Sequence, residues 1–76
     1  MEVKVYSTPT CPYCKMVKEY LSSKGVTFQN IDVSLDKAAG EEMVKISGQM
    51  GVPVIVAGNE VIVGFDKGAI NKALNL

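Results

Sequence analysis

A helical pattern set between two strand patterns, near the start of the chain, limits the folds open to it. Glu2-Val3-Lys4-Val5-Tyr6 alternates charged and apolar residues and predicts a strand. Ser7-Thr8-Pro9-Thr10 reads as a loop. Pro12 then suits the first turn of a helix, where its missing N–H is not needed. Cys14, Val17 and Leu21 recur on one side of that helix with Tyr20 beside them, while Lys15, Lys18, Glu19 and Ser22 take the other. Lys24-Gly25 supplies a glycine stop. Val26 to Val33 predicts a second strand. Two strands joined by a helix crossover should run parallel, with a right-handed connection.

The remainder continues the alternation. Ser34 is the expected cap of a second helix running to about Ile46, with Ala39, Met43 and Ile46 as its buried face and Ser47-Gly48 as its end. Val54-Ile55-Val56 and Val61-Ile62-Val63 flank Ala57-Gly58-Asn59-Glu60, which signals an antiparallel hairpin. Asp66 is placed to cap a short last helix carrying Ile70, Ala73 and Leu74. The order is β-α-β-α-β-β-α, with no repeat, linker or low-complexity segment. The expectation is an α/β fold using residues 1–76 as a single domain: one four-stranded mixed sheet with helices on both faces. At 76 residues the chain is near the lower limit for a self-supporting core, and its 47% apolar content supports folding without help.

Charge narrows the function classes. Eight basic residues balance eight acidic ones and no basic stripe is visible, which argues against nucleic acid as a partner. The apolar runs Val52 to Ala57 and Val61 to Val63 are far too short to span a bilayer, so no membrane role is expected. Met1 to Tyr6 lacks the build of a signal peptide. A cytoplasmic, thiol-reducing setting and a monomeric chain are the expectation.

That setting bears on Thr10-Cys11-Pro12-Tyr13-Cys14-Lys15, which holds both cysteines. A structural disulfide is disfavoured where thiols are kept reduced, and closing so short a loop stabilises weakly, by about 2 kcal/mol against about 3 for a loop of roughly fifteen residues. A zinc site needs about three or four protein ligands, and this chain offers two Cys, no His and no carboxylate nearer in sequence than Glu19, so no metal site is expected. Without His there is no imidazole to activate a hydrolytic thiol. Redox chemistry fits the placement. Cys11 falls at the junction of loop and helix, where free N–H groups and the positive end of the helix dipole favour thiolate over thiol. Cys14 falls one turn later on the same face, more buried. Cys11 is then the nucleophile that attacks a disulfide, and Cys14 resolves the mixed disulfide. A Cys-x-x-Cys beside a βαβ pattern points to this chemistry.

A strand, Cys11-Pro12-Tyr13-Cys14 opening a helix, a later Val52-Pro53 and then Gly64-Phe65-Asp66 together resemble glutaredoxin over nearly the whole chain. The resemblance implies a thioredoxin-like fold and a thiol–disulfide oxidoreductase with no tightly bound cofactor and glutathione as co-substrate. It implies that Pro53 is cis and sits opposite the nucleophile, and that Val52 offers backbone hydrogen bonds to glutathione or an extended peptide. From the residues alone, Gly51-Val52-Pro53 also reads as an ordinary loop with a trans proline. Gln49 matches a position that contacts the glycine carboxylate of glutathione, and Asp66 one that receives the γ-glutamyl ammonium. Pro12, Tyr13, Gln49, Val52, Pro53, Gly64, Phe65 and Asp66 are thus the expected substrate-binding residues, with Tyr13 either lining the groove or simply exposed.

The chain departs from that family's pattern in places. Thr8 stands where glutathione-using members carry a lysine, and Val63-Gly64-Phe65-Asp66-Lys67 replaces Gly-Gly-Cys-Asp-Asp. Val54 to Asn59 with Gly64-Phe65 also resembles NrdH-redoxins, which are reduced by thioredoxin reductase and serve ribonucleotide reductase. The blend resembles short glutaredoxin-like proteins of anaerobic bacteria, the YruB type. Two functions follow: an enzyme reducing protein disulfides or glutathione-mixed disulfides, or a carrier docking to one enzyme. An iron–sulfur binding module is a third, disfavoured in this family by Pro12.

Overall fold

The computed structural model describes residues 2–76. Seven elements follow in the order β1 (Val3–Ser7), α1 (Pro12–Ser23), β2 (Gln29–Asp32), α2 (Lys37–Ser47), β3 (Val54–Ala57), β4 (Glu60–Val63) and α3 (Lys67–Leu74). They form one sheet in the order β2-β1-β3-β4. β1 runs parallel to β2, and β3 runs antiparallel to both β1 and β4. The sheet is mixed because one pair is joined through a helix and another through the tight Gly58-Asn59 turn, where Gly58 takes φ 61°.

Strand alternation decides which side chains meet which helices. Val3 and Val5 of β1 pair in register with Ala57 and Ile55 of β3, and Ile55 pairs with Ile62 of β4. These residues share a buried cluster with Val17 and Leu21 of α1 and Ile70 of α3. Tyr6 and its partner Val54 face the other way and meet Met43 of α2. Helices therefore cover both faces, as the sequence predicts.

Local boundaries differ from expectation in four places. β1 starts at Val3 and includes Ser7, whose hydroxyl donates to Asn30 Oδ1 at 2.7 Å and so closes the β1–β2 ladder. β2 is confined to Gln29–Asp32, because its register with β1 spans only Lys4↔Gln29 to Ser7↔Asp32. Val26 and Phe28 spend their apolar side chains on the core as a connector instead. The cap of α2 is Asp36, not Ser34: Asp36 accepts from Ala39 N at 3.1 Å, while the Ser34 hydroxyl donates to Asp32 Oδ1 at 2.5 Å in the preceding turn. Finally, Ile46 lies 38% exposed. The row Ala39–Met43–Ser47, with Val44 beside it, faces inward in its place, and the hydroxyl of Ser47 is satisfied by the Met43 carbonyl at 2.7 Å. Asp66 caps α3 as expected, accepting from Ala69 N at 3.1 Å.

Candidate active site

The registers bring three chain turns to one end of the sheet. Tyr6↔Val54 sets the exit of β1 beside the entry of β3, and Val54↔Val63 sets the exit of β4 beside that entry again. The segments meeting there are Thr8–Cys11, Gln49–Pro53 and Gly64–Asp66. Pro53 O accepts from Gly64 N at 2.9 Å, which ties the second to the third. Gly64 stands at φ 82°, a conformation that favours glycine, and so turns the chain from β4 toward α3.

Cys11 is the N-cap of α1, and Pro12 occupies the first helical position, where its ring suits the turn and no donor is lost. Cys11 Sγ takes the role a serine oxygen usually plays and accepts from Cys14 N at 3.1 Å. The donor reaches the sulfur from the first turn of the helix. From the facing segment, the Val52 carbonyl accepts from Cys11 Sγ at 3.8 Å. The Val52-Pro53 peptide bond is cis, as the family resemblance implies. Pro53 itself is buried, and Val52 is half-buried.

The two thiols occupy different media. Cys11 is half-buried, and both cysteines are free thiols. Cys14 is fully buried, on the stripe that continues into Val17 and Leu21. Burial first, and then the hydrogen bond shared with Cys11, pushes the Cys14 thiol up to about 11. It therefore stays protonated at neutral pH.

Other residues singled out from sequence land around this pair with uneven access to it. Tyr13 is 61% exposed at the helix start. Phe65 turns its ring into the α1/α3 side, edge-on to Tyr20 with centroids 5.9 Å apart. Asp66 commits Oδ1 to capping. Lys67 Nζ lies 5.5 Å from the Tyr20 ring centroid and 5.7 Å from that of Phe65, so its ammonium is held over the aromatic pair. Gln49 folds back on its own loop: its Nε2 donates to Gly51 O at 2.9 Å and its Oε1 accepts from Gly51 N at 2.7 Å. Sequence reasoning missed this pairing. The available signal was a glutamine two positions before a glycine that leads into Val-Pro. Among the described residues, no group of three or more Cys, Asp or Glu side chains is placed to hold a metal ion, and no helix is long and apolar enough to cross a membrane.

Comparison with known proteins matches a family model described as glutaredoxin to residues 3–62. The chain is 50% identical over 72 residues to an uncharacterized glutaredoxin-like 8.6 kDa protein in a rubredoxin operon of Clostridium pasteurianum, covering 95% of this chain and 96% of that one. It is 45% identical over 64 residues to glutaredoxin 3 of Escherichia coli K12, covering 84% and 77%. Among solved structures it superposes on the NrdH-redoxin of Escherichia coli with a TM-score of 0.87 and 28% identity, covering 95% and 93% of the two chains.

Proposed function

The chain belongs to the glutaredoxin family, and from that premise we propose that it is a dithiol oxidoreductase that reduces protein disulfides or glutathione-mixed disulfides through Cys11 and Cys14. The observation that carries this reading is the asymmetry of the pair. One sulfur is reachable and receives an N–H at 3.1 Å, while the other is buried and held as a thiol.

The exchange runs in two steps. Cys11 sulfur attacks one sulfur of the substrate disulfide. The substrate S–S bond breaks, a Cys11–substrate disulfide forms, and the departing thiolate takes up a proton. Cys14 then gives up its proton, and its sulfur attacks Cys11 sulfur. The Cys11–Cys14 disulfide forms and the second substrate thiol leaves. Two electrons have passed from the dithiol to the substrate. A raised Cys14 thiol suits this order, since it does not compete for the first attack. The segment Gly51-Val52-Pro53 faces the attacking sulfur, and an extended substrate would lie against its backbone. The protein acts as a monomer in a reducing cytoplasm, as one domain, with no tightly bound cofactor.

A second reading, a carrier reduced by thioredoxin reductase, is favoured by the near full-length likeness to an NrdH-redoxin. The electron donor separates the two. Oxidised protein is offered glutathione with its reductase, or NADPH with thioredoxin reductase, and the faster system identifies the class. The shared mechanism is tested by Cys14→Ser, which should stop turnover on protein disulfides and trap mixed disulfides on Cys11. A Cys14→Ser protein that turns over protein disulfides at the starting rate contradicts it.

A further inference from the structure

Gly51 immediately precedes Val52, yet nothing in its backbone conformation calls for glycine. Gly25, Gly48, Gly58 and Gly64 have positive φ, and Gly51 does not. What a side chain there would displace is the Gln49 amide. A Cβ built on Gly51 would stand 2.6 Å from Gln49 Oε1 and 3.5 Å from its amide carbon. The same amide pairs with both backbone groups of Gly51, at 2.7 and 2.9 Å, in the manner of a neighbouring strand. Its own backbone is tied to the end of α2: Gln49 N donates to Ser47 Oγ at 3.4 Å, and Gln49 O lies 2.9 Å from the same hydroxyl, whose one proton it shares with the nearer Met43 carbonyl. The chain of contacts runs from the end of α2 through Ser47, Gln49 and Gly51 to the Val52 carbonyl, which meets Cys11 Sγ at 3.8 Å.

We propose that Gln49 is a positioning residue for disulfide exchange at Cys11: its amide clasps the backbone of Gly51, fixes the Val52 backbone against which substrate lies, and requires glycine at 51. This rests on the oxidoreductase reading above and adds to it a statement about substrate. The clasp takes Oε1 and one of the two Nε2 hydrogens and turns the amide toward Gly51, so in this proposal Gln49 serves every disulfide substrate alike instead of selecting glutathione.

The experiment compares Gln49→Ala, Gly51→Ala and the double variant on two substrates: a glutathione–peptide mixed disulfide, and a disulfide of C-terminally amidated peptides with no free carboxylate. Hydrogen exchange at the Gly51 amide is followed by NMR alongside. Loss of the clasp should raise KM about five- to tenfold on both substrates, the scale of losing one or two exposed hydrogen bonds, with kcat within about twofold. Gly51→Ala should reproduce the effect by evicting the amide, and the double variant should be no worse than either single one. Gly51 exchange should quicken in Gln49→Ala. A KM rise confined to the glutathione substrate overturns the proposal in favour of a carboxylate contact. Additive losses, or unchanged Gly51 exchange with turnover intact, overturn the clasp alone. A starting protein with no turnover overturns the oxidoreductase reading itself, and the positioning role with it.

Discussion

The first turn of α1 joins two unlike regions. At its start is a rim of three loop segments, where Cys11 is half-buried and Tyr13 and Met50 are 61% and 81% exposed. One turn on, the same helix enters the α1/α3 face of the sheet, where Cys14, Val17 and Leu21 are all fully buried. The rim is organised by single hydrogen bonds such as Pro53 O to Gly64 N and the Gln49–Gly51 pair. The face is organised by apolar area, which is worth roughly 25 cal/mol per Å² removed from water. Two thiols of the same kind thus meet different surroundings. The core supplies stability and suppresses one thiol, and the rim leaves the other reachable.

Cys11→Ser is the largest test of that division. It should leave no measurable disulfide reduction while the protein melts within a few degrees of the starting chain, since the hydroxyl can still cap α1. A Cys11→Ser protein with activity would move the chemistry off the rim.

Leu21→Ala probes the other region. Truncating a fully buried leucine should cost about 2–5 kcal/mol of stability, seen as an earlier midpoint in urea. Below that midpoint, Cys11 alkylation should stay within about twofold of the starting rate. If the alkylation rate changed in step with stability, rim and core would not be separable.

The pair Thr8→Lys with Lys67→Asp reshapes the rim alone. The lysine adds a charge-assisted contact for a glutathione carboxylate, worth roughly 1.5–3 kcal/mol when well formed and less where solvent screens it. Moving Lys67 also removes its seat over Tyr20 and Phe65, a loss of about 0.5–1 kcal/mol at an exposed site. An aspartate at the start of α3 returns a comparable amount through the helix dipole. Reduction of the oxidised protein by glutathione should quicken about tenfold with little change in melting. No gain would mean that these positions do not govern glutathione use.

The last effect is alkaline. The folded protein holds the Cys14 proton up to about 11, against an ordinary value of 9.0. Between those values the folded state binds more protons than the unfolded one, so stability falls as pH rises. Tyr6, raised by burial and then by the charge of Glu42, acts in the same direction. Reduced protein should therefore lose melting temperature between about pH 9 and about pH 11, and Cys14→Ser should lose less. An equal loss in both would mean that Cys14 does not contribute.

Much of this architecture is legible in the residues. Alternation in β1, the stripe Cys14–Val17–Leu21 and the Gly58-Asn59 turn fix element type, because each rests on local periodicity or turn chemistry. Family likeness adds the cis bond before Pro53, which local reasoning leaves open. Competing local partners are harder to read. Ser34 and Asp36 are both good caps, and the choice turns on Asp32 capturing the Ser34 hydroxyl. Val26–Phe28 has strand composition but, among the described residues, no ladder partner in register. Gln49 looks like a free polar side chain until its geometry with Gly51 is seen.

Differential alkylation of the reduced protein tests the central claim most directly. Iodoacetamide is titrated against pH, and each cysteine is quantified by peptide mapping. Cys11 should be modified first at every pH, and Cys14 should resist until the solution approaches about pH 11, where its thiol ionises, or until the fold opens. Modification of Cys14 before or together with Cys11 at neutral pH would contradict the proposed assignment of one reachable, half-buried nucleophile and one buried resolving thiol.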